Sequence, residues 1–225
     1  MKRVMILSLL FALAFVVSVS AQTVAISAPN GPVSPSYGSW VGMNGRLYQN
    51  DVNNPLAKIN FMIPQSGTME YDFNVRYQGG GFEDLKGGFG IQVFIDKAFN
   101  GKSWGDGNSY LLWLNYDNNP NAYGGSGFRA QVYKSTSPVE MHIVPSLNYS
   151  LNPSVLTRSN VSTIVPVKIV VNGNTGSVKV YDPTHSTPYY YAFTLPTAPG
   201  SGQYVALRTN SLSVSFGDMK VTKLQ

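Results

Sequence analysis

Glu70 and Asp72 stand two residues apart in the run Thr68 to Tyr77, a spacing that puts both carboxyl groups on one side of an extended chain. Two carboxyl groups flanking a glycosidic bond are the usual apparatus of glycoside cleavage, one donating a proton and the other acting as base or nucleophile. The same pair is also what a solvated sheet face carries. Other proton donors are few, because the only further glutamates are Glu83 and Glu140. Glu140 and His142 share a strand face and could form an acid–base pair, but His142 and His185 are too few for a histidine-rich zinc site. The absence of cysteine excludes thiolate ligands, a cysteine nucleophile and disulfides. There is no Gly-x-Ser-x-Gly elbow, and no glycine-rich segment ends in the Lys-Ser/Thr of a phosphate loop.

Recognition of a sugar asks for different groups. A pyranose offers C–H faces to aromatic rings and hydroxyls to amides, carboxylates or arginine. In Tyr110 to Asp117, strict alternation sets Tyr110, Leu112, Leu114 and Tyr116 against Leu111, Trp113, Asn115 and Asp117. The neighbouring runs repeat it: Gln92, Phe94 and Asp96 oppose Ile91, Val93 and Ile95, while Arg129, Gln131 and Tyr133 oppose Ala130 and Val132. Read as one sheet, these segments carry Trp113, Asn115, Gln92, Phe94, Arg129, Gln131 and Tyr133 on a single polar and aromatic face, with Trp104, Asp106 and Asn108 of an adjacent loop as its rim. The alternative is that the rings pack beneath a covering loop, since large rings tend to be buried. No cofactor is expected. Calcium is the one metal to consider, because Asp96, Asp106 and Asp117 flank loops, although without EF-hand spacing.

The elements that would position these groups are strands. Period-two runs are predicted at Trp40 to Gln49, Ala57 to Ile63, Thr68 to Tyr77, Gly88 to Asp96, Tyr110 to Asp117, Phe128 to Ser135 and Val139 to Val144. After an irregular stretch at 145 to 162 come Val165 to Asn172, Ser177 to Tyr181, Tyr189 to Leu195, Gln203 to Thr209 and Leu212 to Leu224. In Thr68 to Tyr77, Tyr71, Phe73, Val75 and Tyr77 form an apolar row against Glu70, Asp72, Asn74 and Arg76. Residues 28 to 38 read as a Pro/Gly/Ser-rich loop. No linker divides the chain and no internal repeat occurs.

The first 21 residues have the form of an export signal: Lys2 and Arg3, an apolar stretch from Val4 to Val17, and the small-residue site Val19-Ser20-Ala21. Cleavage there leaves residues 22 to 225 as a single domain that is periplasmic, cell-surface or secreted. No later stretch approaches the ~20 apolar residues of a membrane span. Charged residues make up 12% of the chain and the formal net charge is +5 without a Lys/Arg cluster, which argues against a nucleic-acid partner.

Three stretches, Trp40 to Leu47, Val167 to Val171 with Val178 to Tyr181, and Val214 to Val221, resemble the concanavalin A-like lectin/glucanase superfamily, including its laminin-G-like and 3-keto-disaccharide-hydrolase-like branches. The resemblance implies an all-β, two-sheet antiparallel jelly-roll sandwich with the last strand beside an early one. It does not extend to catalysis, because the glucanase pattern Glu-x-Asp-x-x-Glu meets Val75 at its third acid. The resulting expectation is an exported, non-catalytic sandwich that binds a glycan or a partner protein. Alternatives are a structural subunit of an envelope layer or filament, and a glycoside-active enzyme. For the structural reading, Thr23 to Ser27 alternates like a strand that either reaches the sheet edge of a neighbouring subunit or folds back on its own domain.

Overall fold

A computed structural model describes residues 21–25, 33–81, 85–117, 119–122, 124–151, 162–182 and 190–224. Residues 1 to 20 of the expected export signal, Glu83 and His185 lie outside them. Among the described residues every regular element is a strand: β1 (Gln22–Ala25), β2 (Val33–Tyr37), β3 (Trp40–Met43), β4 (Arg46–Gln49), β5 (Ala57–Ser66), β6 (Thr68–Gly80), β7 (Gly88–Ile95), β8 (Asn108–Asp117), β9 (Gly127–Thr136), β10 (Met141–Ser150), β11 (Val165–Asn172), β12 (Ser177–Tyr181), β13 (Tyr190–Thr194), β14 (Ser201–Asn210) and β15 (Leu212–Lys223). No helix among them is long and apolar enough to cross a membrane.

The strands form two antiparallel sheets. The eight-stranded sheet runs β13-β12-β11-β6-β15-β4-β3, with β1 also paired to β15, and the seven-stranded sheet runs β10-β9-β8-β7-β14-β5-β2. The expected two-sheet jelly roll is therefore present, with β15 beside the early strands β4 and β6. Alternation explains the packing. The apolar rows of β6 (Tyr71, Phe73, Val75, Tyr77) and β15 (Val214, Phe216, Val221) meet those of β5 (Ile59, Phe61, Ile63), β7 (Ile91, Val93) and β8 (Tyr110, Leu112, Tyr116) in one core. Aromatic contacts knit it, with Tyr77 and Tyr116 at 4.7 Å and Tyr116 edge-on to Phe128 at 4.5 Å.

Several boundaries differ from those read in the sequence. Trp40 to Gln49 is a hairpin, β3 and β4 turning at Asn44 (φ 53°) and Gly45 (φ 72°), the positive-φ pair that a tight hairpin requires. The stretch assigned to loop at 28 to 38 contains β2, the edge strand of the seven-stranded sheet. The strand placed at Val139 to Val144 begins instead at Met141 and continues to Ser150 through a register shift between Ile143 and Asn148. Glu140 thus sits in the preceding turn and shares no strand face with His142. The β1 strand pairs in register with Lys220–Lys223 of the same chain, so the N-terminal segment folds back on its own sheet.

Phe94 is the largest departure from alternation. Its φ of 55° and the shift in the β7–β14 register between Tyr204 and Ala206 mark a bulge, and its ring enters the core cluster rather than the face that carries Gln92. Left-handed backbone at a bulky residue costs roughly 1–3 kcal/mol and needs compensation. Gln65 supplies it: its Oε1 accepts from the Phe94 amide at 3.0 Å and from the Tyr71 hydroxyl, and its Nε2 donates to the Tyr204 carbonyl at 2.6 Å. Gly202 faces the bulge, where a Cβ would lie 2.4 Å from the Phe94 carbonyl carbon.

Gly202→Ala should therefore lower stability by about 1–3 kcal/mol through overpacking. Gly79→Ala, where a Cβ meets nothing within 4 Å, should be near neutral. Urea unfolding of both variants checks this, and equal stabilities would contradict the packing at Phe94.

Candidate functional site

The outer side of the seven-stranded sheet brings together most of the residues expected there. Register places Asn148, Gln131, Trp113, Gly90, Arg208 and Lys58 in one row across β10, β9, β8, β7, β14 and β5. A second row runs Ser150, Arg129, Asn115, Gly88 and Asn210.

This face is closed. Trp113 keeps 5% of its surface, and Gln92, Asn115, Gln131 and Tyr133 are also buried. With Phe94 turned into the main core, six of the eight expected contact residues lie inside the molecule. Leu111, Trp113 and Tyr133 form a second apolar cluster with Met141 and Ile143 against it. Gly88 makes this possible, since a Cβ there would lie 2.4 Å from Trp113 Nε1. Only Trp104 and Arg129 remain half-buried. The structure thus takes the covered-ring alternative.

Two loops make the cover. Between β7 and β8, residues 96 to 107 are closed at the base by Asp96, which accepts from the amide and side chain of Asn108 at 2.8 and 2.7 Å. They are held at the top by two cations that no sequence pattern singled out. Lys58 Nζ donates to Asp106 Oδ1 at 3.0 Å and to Ser103 Oγ at 2.9 Å, and both members of the ion pair have fully buried side chains. The Arg208 guanidinium, 1% exposed, donates to Gln92 Oε1 and to the carbonyls of Trp104 and Ser103 at 2.5 to 2.7 Å. Asp106 Oδ1 also takes the Phe99 amide at 2.7 Å, and the Asp106 amide donates to Ser135 Oγ at 3.0 Å. Burial lowers Arg208 to about 10 and holds Lys58 below its ordinary value against the pull of Asp106.

The second cover is the segment between β8 and β9. Asn115 Nδ2 donates to the carbonyl of Gly127 at 2.9 Å, and Asn148 Nδ2 to that of Gly124 at 2.8 Å. Arg129 donates to Asn148 Oδ1 at 2.7 Å and to Ser150 Oγ at 2.8 Å, and Tyr133 to Gln131 Oε1 at 2.9 Å. Asp117 accepts from the amides of Gly87 and Asn119. The amides and arginine expected to hold hydroxyl groups hold loop backbone and one another instead.

The three loop aspartates are engaged separately: Asp106 is paired with Lys58, Asp96 with Asn108 and Asp117 with backbone amides. Among the described residues no group of three or more carboxylate or histidine side chains could hold a metal ion.

On the other sheet, the outer-side residues Glu70, Asp72, Lys168 and Lys179 are half-buried and Lys220 is exposed. Glu70 and Asp72 lie there as the alternation of β6 predicts, and Lys168 binds both, at 2.8 Å to Glu70 and 4.0 Å to Asp72. Burial, then the charge of Glu70, raises the Asp72 carboxyl above its ordinary value.

The fold has solved counterparts. The carbohydrate-binding module CBM66 from Bacillus subtilis aligns with a TM-score of 0.56 at 13% identity, over 84% of this chain and 95% of its own. Peanut lectin, solved with a 9mer peptide, gives 0.57 at 10% identity over 91% and 98%. Lectin I-B4 from Griffonia simplicifolia, in its metal-free form, gives 0.54 at 12% over 91% and 100%. At such identities the likeness shows the two-sheet jelly-roll fold alone. No protein-family model and no curated protein sequence matches the chain.

Removing the anion of the loop strap tests its part in stability. Asp106→Asn leaves Lys58 and Arg208 buried without a counter-charge and should cost about 3–5 kcal/mol, with Lys58→Met in the same chain recovering part of the loss. Urea unfolding measures both, and a loss under about 1 kcal/mol, the range of an exposed pair, would contradict the strap.

Proposed function

We propose that the chain is an exported, non-catalytic glycan-binding sandwich whose contacts lie on the covered side, on the loops rather than on the sheet. The observation that carries this is Trp104. Its ring rides on the strapped loop and remains half-buried, with the Lys86 ammonium 4.9 Å from its centroid. Arg129, half-buried beside the second covering segment, is the other expected contact residue that keeps exposed surface. Lectin and carbohydrate-binding-module neighbours support a sugar as the ligand class, and the signal-like N-terminus supports export.

The open carboxylate pair does not favour catalysis. Glu70 and Asp72 share a lysine on an uncovered sheet, whereas glycoside cleavage places its two acids on either side of the bond.

A glycan array probed with wild type, Trp104→Ala and Arg129→Ala tests the reading. Wild type should bind a subset of glycans, and Trp104→Ala should weaken binding roughly tenfold or more, as loss of an aromatic anchor does. No binding by wild type would remove the lectin function, and full binding by both variants would move the site elsewhere.

A further inference from the structure

We propose that the open face of the eight-stranded sheet is a second, separate binding strip for an acidic polysaccharide, a chain of pyranuronic acids, seated on Tyr181 and Tyr190 with its carboxylate on Lys179. The inference goes beyond the loop site above and does not depend on it.

Register builds the strip from two adjacent rows. In one, Ala192 of β13, Lys179 of β12, Val170 of β11, Glu70 of β6, Thr222 of β15 and Thr23 of β1 stand opposite one another in turn. In the other, Tyr190 opposes Tyr181, and Lys168 opposes Asp72, which opposes Lys220. Six strands at about 4.8 Å spacing make the first row roughly 24 Å long, enough for an extended oligosaccharide.

The aromatic end has what a pyranose needs. The rings of Tyr181 and Tyr190 have centroids 5.5 Å apart and are tilted by 53°, and Tyr190 is 40% exposed. Lys179 holds its ammonium 4.5 Å from the centroid of Tyr190. Ala192, opposite it, is exposed and too small to cover it.

Charge selects the acidic sugar. Three lysines, Lys168, Lys179 and Lys220, share the strip with two carboxylates, Glu70 and Asp72. Lys168 is engaged by both acids, and Lys220 faces Asp72 from the other side. Among the described residues no carboxylate pairs with Lys179. Among the described residues one cation is left over, and it lies over the Tyr190 ring, while Lys168 lies 5.6 Å from the centroid of Tyr181. A uronic acid matches that arrangement, its C–H face on tyrosine and its carboxylate on the ammonium, whereas a neutral sugar leaves Lys179 without a counter-charge.

The test is calorimetric titration with a linear oligogalacturonate and with its methyl ester, which keeps the C–H faces and loses the charge. Wild type should bind the acid form, and the ester should bind at least about tenfold more weakly. Lys179→Gln and Tyr190→Thr should each weaken the acid form by a similar factor, while Trp104→Ala, on the other side of the sandwich, should leave it unchanged. Lys179→Gln changes one half-buried side chain to a similar length without charge and keeps the fold if the edge strand does not tolerate the change at Tyr190. Absence of binding, equal binding of acid and ester, or full binding by Lys179→Gln would overturn the proposal. Loss only in Trp104→Ala would overturn it too and assign the binding to the loop site.

Discussion

Two buried cations govern how this sandwich is used. Lys58 and Arg208 project from neighbouring strands onto the outer side of the seven-stranded sheet, and both are almost wholly removed from water. An uncompensated buried charge costs several kcal/mol, so the sheet alone cannot carry them. One carboxylate, Asp106, and the carbonyls of Ser103 and Trp104 make up the balance, and all three belong to one loop. The strap is reciprocal: the cations need the loop for solvation, and the loop needs the cations to hold it against the sheet.

The two sheets are therefore unlike on their outer sides. The seven-stranded sheet has apolar packing on its inner side and a mixed polar and aromatic layer on its outer side, closed by loops. Its amides satisfy carbonyls of the segment between β8 and β9 that would otherwise be buried without partners, while Lys58 and Arg208 fix the loop that carries Trp104. Among the described residues of the eight-stranded sheet, the rows that carry Lys168 and Lys179 hold no such buried cation. Its tyrosines, lysines and carboxylates remain in contact with solvent, and recognition there needs no loop movement.

Much of this is legible in the residues. Alternation assigns both faces of β6 and β8 correctly, because period two is a property of backbone geometry whatever lies outside the sheet. It does not tell an open face from a covered one, since side chains that hold a ligand and side chains that hold a loop are the same types. The signal that separates them is present in Ala57 to Ile63, where Lys58 alternates with apolar residues in a chain with few charges, and again at Arg208 between Leu207 and Thr209. A cation in the middle of a strand calls for a partner, and Asp106 in the loop between β7 and β8 is the one it finds. Alternation misplaces Phe94 because a bulge inverts the pattern locally, and the Gln65 that stabilises it is distant in sequence. The Asn44-Gly45 turn is readable from the dipeptide, yet the run around it reads as a single strand.

The central claim is that Lys58 is sealed beneath its loop in the native protein. Amine acylation of the folded chain, followed residue by residue by mass spectrometry, measures this directly. Exposed Lys97 and Lys102 on the same loop should label at once, and Lys58 should label only under conditions that unfold the chain. Labelling of Lys58 as fast as its exposed neighbours would show the face to be open and contradict the claim.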